Sequence, residues 1–242
     1  MAEGHRDRVR NRFTEENIDT IPEYIVLEKI LHGVIPRVDT SAAARTLISE
    51  FGSLARVIDA PPHELQRIPG VGPAAVSFLK SLPLFYRKYV QSKWGAHHVF
   101  TNYEDIAQYM EERLIGYENE AVVVMCLDSH FKLLCCKAIF EGSINSVEIS
   151  VRKVVDYAIS SKASRIVLAH NHLCDDSYPS RDDINTTKMI YNSLSPMNIA
   201  IDDHYICAPN SRSSMRALNL MPDQLAKKKQ EAEDQASDDS ES

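Results

Sequence analysis

The spacing of apolar residues divides the chain into two segments of different character. In residues 1–92 apolar side chains recur at helical intervals, as Ile25, Leu27, Ile30 and Leu31 do. Short polar or proline-containing stretches separate these runs, which favours several helices joined by turns. The pattern predicts an N-terminal helical domain over 1–92, followed by a linker over 92–98.

Strand patterns alternate with helical ones from Val99 onward. The continuous apolar run Ala121–Leu127 is typical of a strand buried on both faces. Further strands are predicted over 131–140, 164–169, 199–201 and 204–208, and helices over 103–114, 151–160 and 182–194. This mixture predicts an α/β domain over 99–220, in which helices cover both faces of a mixed sheet.

The C-terminal residues 221–242 are predicted to form a disordered acidic tail. From Lys227 onward the only apolar side chain is alanine, so the segment has little surface to bury against the entropy of ordering.

The charge distribution limits the nucleic-acid contacts to be expected, and the cysteine pattern indicates the redox compartment. The net charge is −7, and only residues 1–94 lean basic, with 13 Lys/Arg against 11 Asp/Glu. Any nucleic-acid contact is therefore expected to be local. The five cysteines are irregularly spaced, no apolar run is long enough to span a membrane, and the first residues lack the apolar core of a signal peptide. We expect a reduced, cytoplasmic protein without a membrane partner.

The stretch Ile68-Pro69-Gly70-Val71-Gly72 resembles the turn of a helix-hairpin-helix motif. Gly70 and Gly72 are expected to let the backbone turn tightly because they have no Cβ. The helix beginning near Pro73 would present free N–H groups that can hold a phosphate. Contact with a DNA backbone at Gly70 and Gly72 and a purely structural or protein-binding role both remain open.

Two histidines and a carboxylate form the main candidate for chemistry. His170 and His172 follow a predicted strand, where residues two apart point to the same side. Ser180 is placed to cap the next helix, which would turn Asp183 back toward the strand end. Two histidines and one carboxylate are a known catalytic zinc set. The alternative is that a His-x-His pair is ordinary polar loop composition.

The complete register, His-x-His, seven residues, then Ser-x-x-Asp, resembles the JAMM (MPN-plus) metalloprotease motif. His170-Asn171-His172 together with Pro179-Ser180 resembles the RadC branch of that group. The resemblance extends from about His5 to about Leu220. It implies a C-terminal MPN/JAMM domain of cytidine deaminase-like architecture, Zn²⁺ held by His170, His172 and Asp183, and zinc-dependent hydrolysis of an amide or isopeptide bond in a protein or peptide.

The resemblance also implies two catalytic residues. Glu120, just before the first strand, matches the general base that acts on the zinc-bound water, with Glu118 as its competitor. Ser180 matches the residue that hydrogen-bonds the oxyanion. After the second histidine the family loop reads Pro-Ser-Gly-Asp, whereas this chain has Leu173-Cys174-Asp175-Asp176.

Two other functions bear comparison with a zinc peptidase. RadC proteins are traditionally labelled DNA repair proteins, so a DNA repair or recombination accessory role is the alternative function. A nucleobase deaminase is disfavoured because its zinc site needs Cys-x-x-Cys, which the chain lacks.

Several single residues near these motifs have simpler interpretations. Cys174 is expected to be a loop residue rather than a nucleophile, and Cys135 and Cys136 are expected to be packing residues. His204 is expected to be a core histidine satisfied by Asp203, or else part of a pair behind the metal ligands. The acidic residues Asp175, Asp176 and Asp182 are expected to be solvated charges.

Overall fold

A computed structural model describes residues 2–15, 17–36, 38–95, 97–142 and 147–227. The chain divides into two compact units, one ending at Tyr86 and the other beginning at Arg87. Among the described residues, no helix combines the length and apolarity needed to cross a bilayer.

The first unit is helical. Its elements are α1 (Ala2–Glu15), a 3₁₀ turn (Ile18–Thr20), α2 (Glu23–His32), α3 (Ser41–Phe51), α4 (Leu54–Asp59), α5 (Pro62–Leu65) and the first part of α6 (Pro73–Trp94). The division between the units falls within α6, which extends into the segment expected to be a linker. Leucines from α2, α3, α5 and α6 form the core, because each helix turns one apolar stripe inward: Leu27, Leu31, Leu47, Leu65 and Leu79 are all fully buried.

The turn between α5 and α6 needs only one of its two glycines. Gly70 has a φ of +86°, a left-handed conformation that residues with a Cβ rarely adopt. The Val71 N–H closes this turn on the Ile68 carbonyl at 3.0 Å. Gly72 has no left-handed φ, and a Cβ there would meet nothing within 4 Å. The expectation that both glycines serve the turn is therefore wrong for Gly72.

The second unit is built on a five-stranded mixed sheet in the order β2-β1-β3-β4-β5. Its strands are β1 (Ala121–Leu127), β2 (Leu133–Glu141), β3 (Arg165–Asn171), β4 (Ala200–Ala208) and β5 (Ser211–Ser214). The pair β3–β4 is parallel and the other pairs are antiparallel. The helices are α7 (Tyr103–Leu114), α8 (Val147–Ser160) and α9 (Arg181–Leu194), and a 3₁₀ turn (Ser195–Met197) follows α9.

Apolar helix faces cover both sides of this sheet, which confirms the predicted α/β architecture. One core joins α7 to alternate strand residues such as Val123, and a second joins α8 and α9 to the intervening ones such as Val124. Every residue of β1 except Val122 is buried because the strand contributes to both cores. This explains why its sequence is continuously apolar rather than alternating.

The structure also differs from the sequence predictions at β4, at β5 and at the start of the C-terminal tail. The two strands expected over 199–201 and 204–208 are one strand, β4, with a register irregularity opposite Ile166 and Val167. Strand β5 was not predicted, because its serine-rich sequence has no apolar alternation. The expected tail begins with described structure, since Met221 is fully buried in the core beside α9 and residues 222–227 are helical. The rest of the tail, 228–242, lies outside the described residues.

Candidate metal centre

Strand β3 and helix α9 bring His170, His172 and Asp183 together. His170 is the sixth residue of β3, and His172 follows its last residue. The His172 N–H donates to the Cys207 carbonyl of β4 at 2.8 Å, which keeps the chain extended beyond the strand. Both rings consequently lie on one side, with centroids 4.8 Å apart. Asp183 lies in the first turn of α9 and faces both rings.

The possible ligand atoms of these three residues all lie within 4.8 Å of one another. His170 Nε2 is 3.2 Å from Asp183 Oδ1, and His172 Nε2 is 3.6 Å from Asp183 Oδ2. One imidazole nitrogen from each ring and both carboxylate oxygens therefore converge on a single small volume.

A capping box at the start of α9 fixes the orientation of Asp183. Ser180 is the N-cap, and its Oγ accepts the Asp183 N–H at 3.1 Å. In return, Asp183 Oδ2 accepts hydrogen bonds from the Ser180 N–H at 2.8 Å and from the Ser180 hydroxyl at 2.6 Å. The predicted cap is confirmed, and the hydroxyl hydrogen of Ser180 is directed at the Asp183 carboxylate.

The other ring nitrogen of each histidine is held by a hydrogen bond. His172 Nδ1 lies 2.7 Å from the Asp176 carbonyl, which can only accept, so this nitrogen carries the proton. His170 Nδ1 lies 2.9 Å from Nε2 of His204, whose Nδ1 is 2.7 Å from the Thr187 hydroxyl. Metal-binding histidines in proteins have such outer partners almost without exception, because these fix the orientation of the ring.

Burial favours the neutral form of the imidazole rings of His170 and His204. Desolvation lowers the pKa of His170 to about 4, despite the opposing attraction of the Asp183 carboxylate. Desolvation and the neighbouring His170 lower the pKa of His204 to about 3. Burial acts to raise the pKa of Asp183, but His170 and the hydrogen bonds from Ser180 outweigh it, so the pKa falls below its ordinary value and the group remains a carboxylate.

The donor set fits a divalent cation. His170 Nε2 is buried and has no hydrogen-bond partner, although it lies beside a carboxylate oxygen. A buried nitrogen without a partner is costly in a folded protein, and a metal ion satisfies it directly. Two imidazole nitrogens and one carboxylate form a set that binds zinc.

Glu120 lies at the edge of this site. It is exposed and immediately precedes β1, where Val122 pairs directly with His170. Alternation along β1, continued back by one residue, predicts Glu120 on the sheet face of Val122 and His170. Glu118 lies in a bend before the strand, where this alternation does not apply.

Sequence reasoning missed the roles of Asn171 and Thr187. Asn171 Oδ1 accepts the Ala121 N–H at 2.7 Å, and its Nδ2 donates to the Asn119 carbonyl at 3.1 Å, so it joins the segment that carries Glu120 to β3. Its position between the two histidines was the only signal available. Thr187 is fully buried in α9, and no sequence signal distinguished it from a packing threonine.

The interpretation of His204 as a core histidine satisfied by Asp203 is wrong. The Asp203 carboxylate accepts the backbone N–H of His204 and hydrogen bonds from Ser214 and Arg216. The ring of His204 instead contacts His170 and Thr187.

The remaining candidates lie outside the metal-ligand group of the described residues. Cys174 is exposed, with its thiol 3.8 Å from the Asp176 carbonyl. Cys135 and Cys136 pack against opposite cores, as expected for neighbours in a strand.

Gly70 and Gly72 lie in the first unit. In the helix that follows them, the Lys80 ammonium donates to carbonyls at the end of α4, the nearest being Ile58 O at 2.9 Å. The Lys80 ammonium thus binds the carbonyls at the C-terminus of α4. Contact of the hairpin with DNA stays a prediction.

A comparison with known families agrees with this architecture. The family model described as the RadC-like JAB domain matches residues 100–220, half of the chain. The matched region contains all five strands, α7 to α9 and the three converging side chains. This match, over the whole of the mixed α/β sheet and its site, shows that the chain belongs to the RadC family.

Proposed function

We propose that this protein is a zinc-dependent metallopeptidase that hydrolyses an amide or isopeptide bond in a protein or peptide. The observation that carries the proposal is the convergence of ligand atoms from His170, His172 and Asp183 within 4.8 Å. The buried Nε2 of His170, which has no hydrogen-bond partner, supports a cation there rather than a hydrogen-bonded structural cluster. A two-histidine, one-carboxylate set is the ligand class of catalytic rather than structural zinc sites.

The three side chains would hold the metal through His170 Nε2, His172 Nε2 and the Asp183 carboxylate. A bound zinc ion supplies Lewis acidity toward the scissile carbonyl and lowers the pKa of water to about 7. The protein's own contribution is to aim both imidazoles at one point. Burial also lowers the pKa of His170 and so favours its neutral form, whereas the Asp176 carbonyl orients the ring of His172 through Nδ1.

Glu120 is proposed as the general base that accepts a proton from the attacking water and returns it to the leaving nitrogen. The sheet face that alternation along β1 predicts for Glu120, shared with Val122 and its partner His170, supports this role over Glu118. The backbone around Glu120 is held by Asn171 and by the Gly142 N–H, which donates to the Glu120 carbonyl at 2.9 Å. A base held in place contributes about 10²–10⁴-fold in rate.

Ser180 is proposed as the donor that stabilises the oxyanion. Its hydroxyl now donates to Asp183 Oδ2, so the role requires the hydrogen to turn toward the substrate oxygen. The Ser180 N–H also binds Asp183 Oδ2 and keeps the carboxylate in place while the hydroxyl is diverted.

Metal content tests the ligand set with a matched pair of variants. Asp183→Asn keeps an oxygen that can accept the Ser180 hydrogen bonds but removes the charge, whereas Asp182→Asn makes the same change at the exposed neighbouring residue. After reconstitution with zinc and desalting, mass spectrometry should find one zinc ion per chain in the parent and in Asp182→Asn, and a small fraction of that in Asp183→Asn. A parent protein that retains no zinc, or equal retention in both variants, contradicts the proposal.

Turnover tests the general base. With fluorogenic substrates that carry α-amide and lysine isopeptide linkages, Glu120→Gln should lower kcat about 10²–10⁴-fold with zinc content unchanged. Glu118→Gln should keep the parent rate. Loss of activity in Glu118→Gln alone would transfer the role to that residue, and no chelator-sensitive turnover with any linkage would remove the peptidase assignment.

A further inference from the structure

A chain of buried polar groups connects two of the three proposed ligands. It runs from His170 through His204 and Thr187 to the main-chain carbonyl of Asp183, and these first three residues are each at most 6% exposed. The three links measure 2.9 Å, 2.7 Å and 2.6 Å. Because it begins on β3, crosses β4 and ends on α9, it joins the strand that carries one ligand to the helix that carries another.

The Asp183 carbonyl at the end of this chain determines which atom donates each hydrogen bond. The Asp183 carbonyl can only accept, so the 2.6 Å link requires the single hydroxyl hydrogen of Thr187. Thr187 Oγ1 must then accept from Nδ1–H of His204, and neutral His204 is left with a lone pair on Nε2. His170 Nδ1 therefore carries its hydrogen and donates it to His204.

With the hydrogen bonds donated in this direction, His170 Nε2 carries a lone pair. This is the atom that faces Asp183. A lone pair 3.2 Å from a carboxylate oxygen is electrostatically unfavourable unless a cation lies nearby. If the hydrogen bonds ran in the opposite direction, Nε2 would carry a hydrogen and donate it to Asp183. A metal ion would then have to displace that proton.

We propose that His204 and Thr187 are positioning residues that hold His170 in the Nδ1–H tautomer, so that its Nε2 is available to a metal ion. The inference rests on the proposed metal site but concerns residues outside the ligand set. His172 needs no such relay, because a backbone carbonyl fixes its tautomer directly. His170 lies inside the sheet, where the neighbouring strand offers a side chain rather than a free carbonyl.

The metal-free protein provides the first test. Long-range ¹⁵N–¹H correlation spectra of histidine-labelled protein distinguish the two tautomers of each neutral ring. We expect His170 and His204 both as Nδ1–H. A His170 ring in the Nε2–H form overturns the relay, and this measurement needs no variant.

A matched pair of variants provides the second test. Thr187→Val keeps the shape but removes the hydroxyl, while Thr187→Ser retains it. Competition between the protein and a chromophoric chelator for zinc, at fixed pH, should show affinity about 10–100-fold weaker in Thr187→Val and near the parent value in Thr187→Ser. In Thr187→Val the His170 spectrum should also gain the Nε2–H form.

A merely structural role gives a different pattern. It would lower the melting temperature of metal-free Thr187→Val and leave zinc affinity and the tautomer unchanged, which would overturn the proposal. Failure of the proposed function is a separate result, namely a parent protein that takes up no zinc, and the tautomer measurement then decides the relay by itself.

Discussion

Asn171 offers a sharp test of how the site is held in place. Replacement by alanine removes the acceptor of the Ala121 N–H at 2.7 Å and the donor to the Asn119 carbonyl at 3.1 Å. Neither bond involves a proposed metal ligand. The change should therefore loosen the segment that carries Glu120 while the ligands keep their positions.

The magnitude follows from burial. Ala121 is fully buried, so its N–H loses its partner where water does not replace it, which costs about 1–3 kcal/mol. The bond to the exposed Asn119 carbonyl adds about 0.5 kcal/mol. A local loss of about 2 kcal/mol corresponds to roughly 30-fold faster exchange of the Ala121 amide hydrogen.

Amide hydrogen exchange measured by NMR on the zinc-loaded protein is the direct assay. Asn171→Ala should show fast exchange at Ala121, unchanged exchange in β4 and a zinc affinity close to that of the parent, but a reduced kcat. Asn171→Asp is the matched control, because a carboxylate oxygen can still accept the Ala121 N–H. Unchanged exchange at Ala121 in Asn171→Ala would refute the reasoning. A kcat equal to that of the parent, in a variant whose Ala121 amide exchanges fast, would refute it as well.

Substitutions at four other positions probe the cap of α9, a partly buried ion pair and the turn before α6, each measured by urea denaturation of the full chain with chelator present. Ser180→Ala removes the N-cap of α9 and should lower the free energy of unfolding by about 1 kcal/mol, with Ser180→Thr close to the parent. Arg165→Ala leaves the buried Asp202 carboxylate without its two-pronged partner and should cost about 2–3 kcal/mol, less than a fully buried pair because Arg165 is partly exposed. Gly70→Ala should cost about 1–2 kcal/mol because of its left-handed φ, whereas Gly72→Ala should stabilise by about 0.5 kcal/mol, and equal effects at the two glycines would contradict the turn geometry.

Local patterns were sufficient for most of the fold. The apolar run Ala121–Leu127 identified a strand buried on both faces, and Ser180 identified the start of α9, because burial and capping act over a few neighbouring residues. Strand β5 escaped prediction because its pairing with β4, rather than its composition, makes it a strand. Its serines Ser211 and Ser213 bind Ser177 in the loop whose Asp176 carbonyl orients His172.

The approach of His204 to His170 depends on a feature that alternation along the chain cannot reveal. Ile201 and Ile206 both face α8 and α9, although strict alternation would place them on opposite sides of the sheet. The register irregularity in β4, between Ile201 and Asp203, shifts the alternation of side chains by one residue. As a result, His204 lies on the sheet face of His170.

The acidic pair Asp202-Asp203 lies between the two segments expected to be separate strands, and two adjacent carboxylates are rarely buried. Both are buried here because each has partners distant in sequence. Asp202 binds the Arg165 guanidinium, and Asp203 binds the Ser214 hydroxyl and the Arg216 N–H. These long-range pairings satisfy both carboxylates at the irregularity, where His204 turns toward His170. Because the partners are distant in sequence, local patterns revealed neither the continuous strand β4 nor the relay.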